Sequence, residues 1–275
     1  MPALVYATNK FVDTTGILCN DAGLIEELKR DEDISGYEVV NLKNRAALPG
    51  LVNAHSHAFQ RVIRGRTEYR SSESKDSFWT WREMMYSAAV RLTPEDVYDA
   101  SRMAFLEMAL SGITSVGEFH YLHHAPDGQT YDDPNFLAKE VVRAARDVGL
   151  RIALLRVAYA RSGFETEPNP RQQRFLEADP DTYLKNLESL MTELNEPWSA
   201  WAGMAPHSVR AVPLDYLRKV IEFGNEKVLP IHMHVAEQPA EVSACIAEHG
   251  RSPVALLESE GFRVSLATGS GGHAG

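Results

Sequence analysis

Two histidines two residues apart, His55 and His57, close an apolar run that reads Leu48-Pro49-Gly50-Leu51-Val52-Asn53-Ala54-His55-Ser56-His57. Alternate side chains of a strand share a face, so both imidazoles point the same way. Neutral imidazole is a common zinc ligand, and one strand end can therefore offer two ligands to one ion. A second apolar segment, Ile231-His232-Met233-His234-Val235-Ala236-Glu237, carries another histidine pair and a carboxylate three residues after His234. Read together, the two segments predict a metal-dependent hydrolase.

Those side chains need elements to hold them. After Pro49-Gly50, strand-length apolar runs alternate with longer amphipathic segments. The runs are Leu51–His57, Thr114–Tyr121, Arg151–Tyr159, Trp201–Ser208 and Val228–Glu237, with a weaker one at Phe262–Thr268. Helical patterns lie between them, at Asn135–Val148, Asp179–Asn195, Pro213–Phe223, Pro239–Glu248 and Ser252–Glu260. Another opens at Thr93-Pro94-Glu95-Asp96, with an N-cap residue, proline at the first helical position and acids in the first turn. Strands alternating with helices imply parallel βα units. The chain therefore reads as an α/β protein: an incomplete TIM-type (β/α) barrel over residues 49–268. A small β-sandwich-like module over 1–48 precedes it, with strand-sized pieces at Gly16–Cys19, Gly23–Ile25 and Tyr37–Val40, and a glycine-rich flexible tail over 269–275 follows. A closed barrel needs eight strands, and the count falls short, as in a truncated product of a longer reading frame. In such barrels the active site lies at the C-terminal strand ends. That is where His55 and His57, His120 and Tyr121, His207 and Arg210, and His234 and Glu237 fall.

Composition narrows the partners. With 275 residues, 44% of them hydrophobic, the chain can bury a sizeable core, and its formal charge of −10 argues against nucleic acid or an anionic membrane surface. An anionic small substrate remains compatible, because a few arginines make a local positive pocket. Cys19 and Cys245 lie far apart, which argues against a disulfide framework and for a reducing compartment. No apolar run reaches the roughly 18 residues of a membrane helix, and no signal-peptide pattern opens the chain. A cytoplasmic enzyme is the expectation.

Five stretches carry a resemblance: Pro49–Arg61 (PGLVNAHSHAFQR), Phe78–Tyr86 (FWTWREMMY), Gly117–His124 (GEFHYLHH), Pro206–Arg210 (PHSVR) and His232–Gln238 (HMHVAEQ). From about residue 46 to about residue 260 the chain resembles the amidohydrolase superfamily and, within it, the formimidoylglutamate deiminases of histidine degradation. Those enzymes hydrolyse N-formimino-L-glutamate to N-formyl-L-glutamate and ammonia. The resemblance implies one Zn2+ held by His55, His57 and His234, with other divalent metals as alternatives. It implies Glu237 as the proton shuttle and His207 as a partner of the formimino end. Arg210 is implied as the fork for a substrate carboxylate, with Gln60, Arg82 and Tyr121 as further contacts. A small, anionic, amino-acid-like substrate gives a reason for two arginines, and a homodimer is a family-level expectation.

Two elements of the family pattern are missing. Members place a histidine after the sixth strand and a metal-binding aspartate after the eighth. Here Arg263-Val264-Ser265-Leu266-Ala267-Thr268 stands where the first is expected, and no aspartate follows Glu237. Two other readings stand beside the deiminase. One is a related amidohydrolase that deaminates a cyclic amidine or nucleobase, and the other is a metal-binding remnant without turnover. Among the remaining candidates, His232 reads as structural because the three-residue step to Glu237 singles out His234. His120 reads equally as packing or support, His123 and His124 as loop residues near the mouth, and Cys245 as a small buried apolar residue.

Overall fold

The computed structural model describes residues 1–30, 36–67, 78–194 and 199–262. The chain divides into two compact units, Met1–Leu51 and Val52–Gly275. Among the described residues no helix is long and apolar enough to cross a membrane.

In the first unit β1 (Pro2–Ala7) and β2 (Lys10–Val12) form an antiparallel hairpin that sets Tyr6 opposite Phe11. Thr8 and Asn9 link them with φ of 50° and 63°, the pair of positive values that a tight type I′ hairpin turn requires. A second hairpin joins β3 (Thr15–Cys19) to β4 (Ile25–Arg30), and β5 (Leu42–Ala47) runs parallel to β1. The strand pieces expected at Gly23–Ile25 and Tyr37–Val40 do not form as such. The Asn20 side chain accepts the Ala22 and Leu24 N–H groups at 3.1 and 3.0 Å and makes a turn there. The strand expected at Tyr37 starts instead at Leu42.

The second unit is built on a parallel sheet ordered β6 (Leu51–Ser56), β7 (Ile113–His120), β8 (Arg151–Ala158), β9 (Ala200–Pro206). Leu154 of β8 pairs with Glu118 of β7 on one side and with Ala202 of β9 on the other. Ile152, Leu154 and Val157 are fully buried, as expected for strands covered on both faces. Helices α1 (Phe78–Ala89), α2 (Pro94–Leu110), α3 (Phe136–Val148), α4 (Pro180–Glu193), α5 (Leu214–Glu226), α6 (Pro239–His249) and α7 (Pro253–Ser259) supply the cover. The α2 start works as the sequence predicts. Thr93 Oγ1 accepts the Asp96 N–H at 3.1 Å, and the Asp96 carboxylate accepts the Thr93 N–H at 2.8 Å. Gly117 sets how closely β7 approaches β6, because a Cβ there would lie 2.5 Å from the Ala54 carbonyl oxygen.

The fifth expected strand, Val228–Glu237, takes another form. Ile231 makes a single parallel bridge to Met204. The His232 N–H donates to the Met204 carbonyl at 3.3 Å, and the His234 N–H to the His207 carbonyl at 2.9 Å. Val228 and Ala236 sit at φ of 55° and 56°, which interrupts the extended backbone at both ends. Among the described residues, four regular strands and this bridged segment stand against the eight of a closed barrel, so the barrel is incomplete. The tail at 269–275, and all of Phe262–Thr268 except Phe262, lie outside the described residues.

Arg156, fully buried on β8, anchors the chain that returns from β8 to α4. Its guanidinium forms a two-pronged pair with Glu177, one prong measuring 2.8 Å, and its Nε donates to Asn135 at 2.9 Å. Asn186 donates to the same Glu177 carboxylate at 2.8 Å. That connection also carries Gln172 and Phe175, both fully buried.

Candidate metal and substrate site

The end of β6 delivers His55 and His57, and the bridged segment after β9 delivers His234. His55 Nε2 lies 3.1 Å from His57 Nε2 and 3.2 Å from His234 Nε2. Two nitrogens bound tetrahedrally to one zinc at about 2.05 Å lie roughly 3.3 Å apart. The spacing thus matches the edges of a zinc coordination polyhedron, and the three ring nitrogens all lie within 4.8 Å of one another.

Tautomers agree with that use. His57 Nδ1 sits 3.1 Å from the Phe119 carbonyl, which accepts a hydrogen bond from Nδ1–H and leaves the Nε2 lone pair for a cation. Burial holds the His57 imidazole well below its usual pKa, and the nearby His234 and His55 lower it further. Burial, then His55 and Arg210, bring His234 down to about 3. Burial and His232 lower His55. Neutral imidazoles are the form that ligates. Phe119 packs against the set, its ring centroid 4.4 Å from that of His234 and 5.2 Å from that of His55. The residues present fit a divalent metal.

One pocket opens beside these imidazoles, lined by His57, Gln60, Arg82, Tyr121, His207, His234, Arg210 and Glu237. The residues that the resemblance implied as metal, catalytic and substrate groups are therefore in this pocket, or, in the case of His55, in contact with it through His57 and His234. Gln60 Nε2 donates to the Tyr121 hydroxyl at 2.8 Å, which fixes both side chains. His207 is buried, with its ring centroid 5.0 Å from that of His234. Burial, followed by His234 and Arg210, holds it neutral. Arg210 Nη2 lies 3.8 Å from Glu237 Oε2. The Arg82 guanidinium sits over the Tyr86 ring at 5.3 Å. Two cations, one carboxylate and three imidazoles thus face a single space.

Three histidines do other work. His120, the last residue of β7, is buried, and burial together with Arg156 lowers it to about 3. His123 and His124 are held by backbone carbonyls, those of Val157 and Leu176, each at 2.9 Å. They are buried, not open loop residues at the mouth. Sequence reasoning missed Tyr159 and Gln172. Gln172 Nε2 donates to the Tyr86 and Tyr159 hydroxyls at 2.8 and 2.7 Å, and both tyrosines line the pocket. Tyr159 directly follows a strand end, which was a usable signal. Gln172 sits in a short turn after a proline and offered none.

Comparison with known proteins gives a consistent picture. Residues 46–270 match the profile of the Amidohydrolase family. The formimidoylglutamate deiminase of Pseudomonas aeruginosa is 39% identical over 86% of this chain and 51% of its own length. A 5-methylthioadenosine/S-adenosylhomocysteine deaminase of Syntrophomonas wolfei is 28% identical over 94% of this chain and 52% of its own. The crystal structure of an amidohydrolase from Brucella melitensis superposes with a TM-score of 0.82 at 35% identity, covering 94% of this chain and 56% of that one. The chain spans about half the length of the relatives it matches.

Proposed function

This chain belongs to the amidohydrolase family, and we propose that it serves a zinc-dependent deiminase acting on N-formimino-L-glutamate. One water and one substrate molecule would give N-formyl-L-glutamate and ammonia. The observation that carries this reading is the meeting of Arg82 and Arg210 with three converging imidazoles in one pocket. A dicarboxylate needs two cationic partners, whereas a neutral purine needs none.

His55, His57 and His234 would hold the metal, their Nε2 atoms being the ones that converge. Bound zinc supplies Lewis-acid polarisation and an activated water. Glu237 takes a proton from the attacking water and returns it to the leaving nitrogen. His207, neutral and buried, hydrogen-bonds the formimino end. Arg210 grips one substrate carboxylate and Arg82 the other, while Gln60 and Tyr121, already joined to each other, orient the chain between them. The substrate is then a small anionic amino-acid derivative in the cytoplasm, and neither nucleic acid nor membrane is a partner. The catalytic unit is a homodimer on this reading.

The match to a methylthioadenosine deaminase favours a second reading, a nucleoside deaminase. A substrate panel with zinc present, followed by ammonia release, separates the two. Release from N-formimino-L-glutamate and none from 5-methylthioadenosine is expected. The reverse pattern overturns the proposal, and a zinc-loaded chain silent on both supports a binding remnant.

A further inference from the structure

Glu118 lies in the middle of β7, 1% exposed, between apolar neighbours. Its Oε1 accepts the Ala58 N–H at 2.7 Å, and the Ser56 hydroxyl donates to the same carboxylate. Ser56 and Ala58 are the two residues that flank His57. The next residue of the strand, Phe119, accepts from the His57 ring through its carbonyl at 3.1 Å. Side chains alternate along a strand, so consecutive residues of β7 reach His57 from two directions, one through the backbone and one through the ring. Among the described residues no cationic side chain pairs with Glu118. Burying a carboxylate without such a partner costs stability, and packing alone would favour an apolar residue there.

We propose that Glu118 is a positioning residue for the metal site: by holding the Ala58 backbone N–H on one side of His57 and the Ser56 side chain on the other, it sets the spacing between the His55 and His57 nitrogens. The inference rests on the metal reading of the three imidazoles. What matters is an acceptor atom at the reach of a glutamyl side chain, not a charge.

Three variants of this chain test the proposal: Glu118→Met, Glu118→Asp and Glu118→Gln. Each is stripped of metal and titrated with zinc against a chromophoric chelator. Each is also loaded with Co2+ for its visible absorption spectrum, and its thermal midpoint is recorded. Glu118→Gln keeps the acceptor and should bind zinc within about threefold of the parent, whereas Glu118→Met and Glu118→Asp should bind about 10–100-fold more weakly. Their cobalt spectra should shift, while their melting stays close to the parent's. Glu118→Asp keeps the charge and the polar strand, so it carries the test if the methionine variant fails to fold. A folded Glu118→Met or Glu118→Asp with parental affinity overturns the proposal, as does a Glu118→Gln as weak as Glu118→Met. A parent chain that binds no zinc overturns the metal reading and this proposal together, so the two failures are distinguishable.

Discussion

Arg210 and Glu237 touch each other in the pocket, yet the chemistry asks different things of them. Truncating one partner of a buried, charge-assisted contact costs about 2–5 kcal/mol. On the proposed function, Arg210→Ala should therefore lower kcat/KM for N-formimino-L-glutamate at least about thirtyfold, chiefly through KM, with zinc content unchanged. Unaltered steady-state kinetics would refute the carboxylate grip. Glu237→Gln should keep full zinc occupancy and substrate binding while ammonia release falls by about 100-fold or more, the scale of a lost general acid–base. Metal analysis beside an ammonia assay checks both halves of that statement. At this scale the sequence was legible wherever a residue type was unusual for its place. Histidines at strand ends and Arg210 in the turn after β9 stand out. Glu118 did not, because one acid within ITSVGEFH reads as a strand filler until coordinates show what its carboxylate reaches. Gln172 was equally silent, since a 3₁₀ turn over Pro170–Gln172 has no periodicity to read.

Between β8 and α4, the buried Arg156–Glu177 pair holds the connection that frames the pocket. Burial alone would raise the Glu177 carboxyl. The Arg156 hydrogen bonds override it, with His123, the Arg156 charge and Asn186 adding to them, and hold the group at about 2. A carboxyl held below its ordinary 4.5 contributes stability that is present above that value and is lost as pH falls toward 2. Glu177→Gln leaves a buried guanidinium without its counter-charge and should cost about 3–5 kcal/mol at pH 7. The gap between parent and variant should narrow as the pH is lowered from 5 to 2. Urea midpoints across that range give the comparison, and a gap independent of pH would refute the pairing as its cause. Elements were legible where a single pattern ran unbroken. β7, β8, β9 and the capped α2 follow their apolar runs and start signals closely. The segment at Val228–Glu237 has an equally apolar sequence but makes only a single bridge to β9, bounded by positive φ at Val228 and Ala236. Nothing in a valine or an alanine announces such a backbone.

For the molecule as a whole, the proposed metal at the three imidazoles would be a determinant of stability as well as of chemistry. A ligand that binds only the folded state stabilises it by about 2.7 kcal/mol at 100 times its Kd. Zinc should therefore raise the thermal midpoint by several degrees and a chelator should reverse the rise. His55→Ala should melt at one temperature with or without zinc. A parent chain whose melting ignores zinc would show that no site forms at these histidines. Fold class was readable from alternation alone, since parallel βα units leave buried runs and amphipathic helices in turn. Which strand ends meet was not, because that is settled by sheet order and by the close approach that Gly117 permits.

His55 and His234 are separated by 179 positions along the chain. A ribosome adding about 5–20 residues per second takes roughly 9–36 s to cover that distance. During synthesis the first two imidazoles thus emerge long before the third, as a bidentate fragment that holds any passing ion only loosely. On the proposed metal reading the site would be complete only once β6 to β9 have been laid down, so the metal would be chosen by a formed sheet and not by the first histidine pair alone.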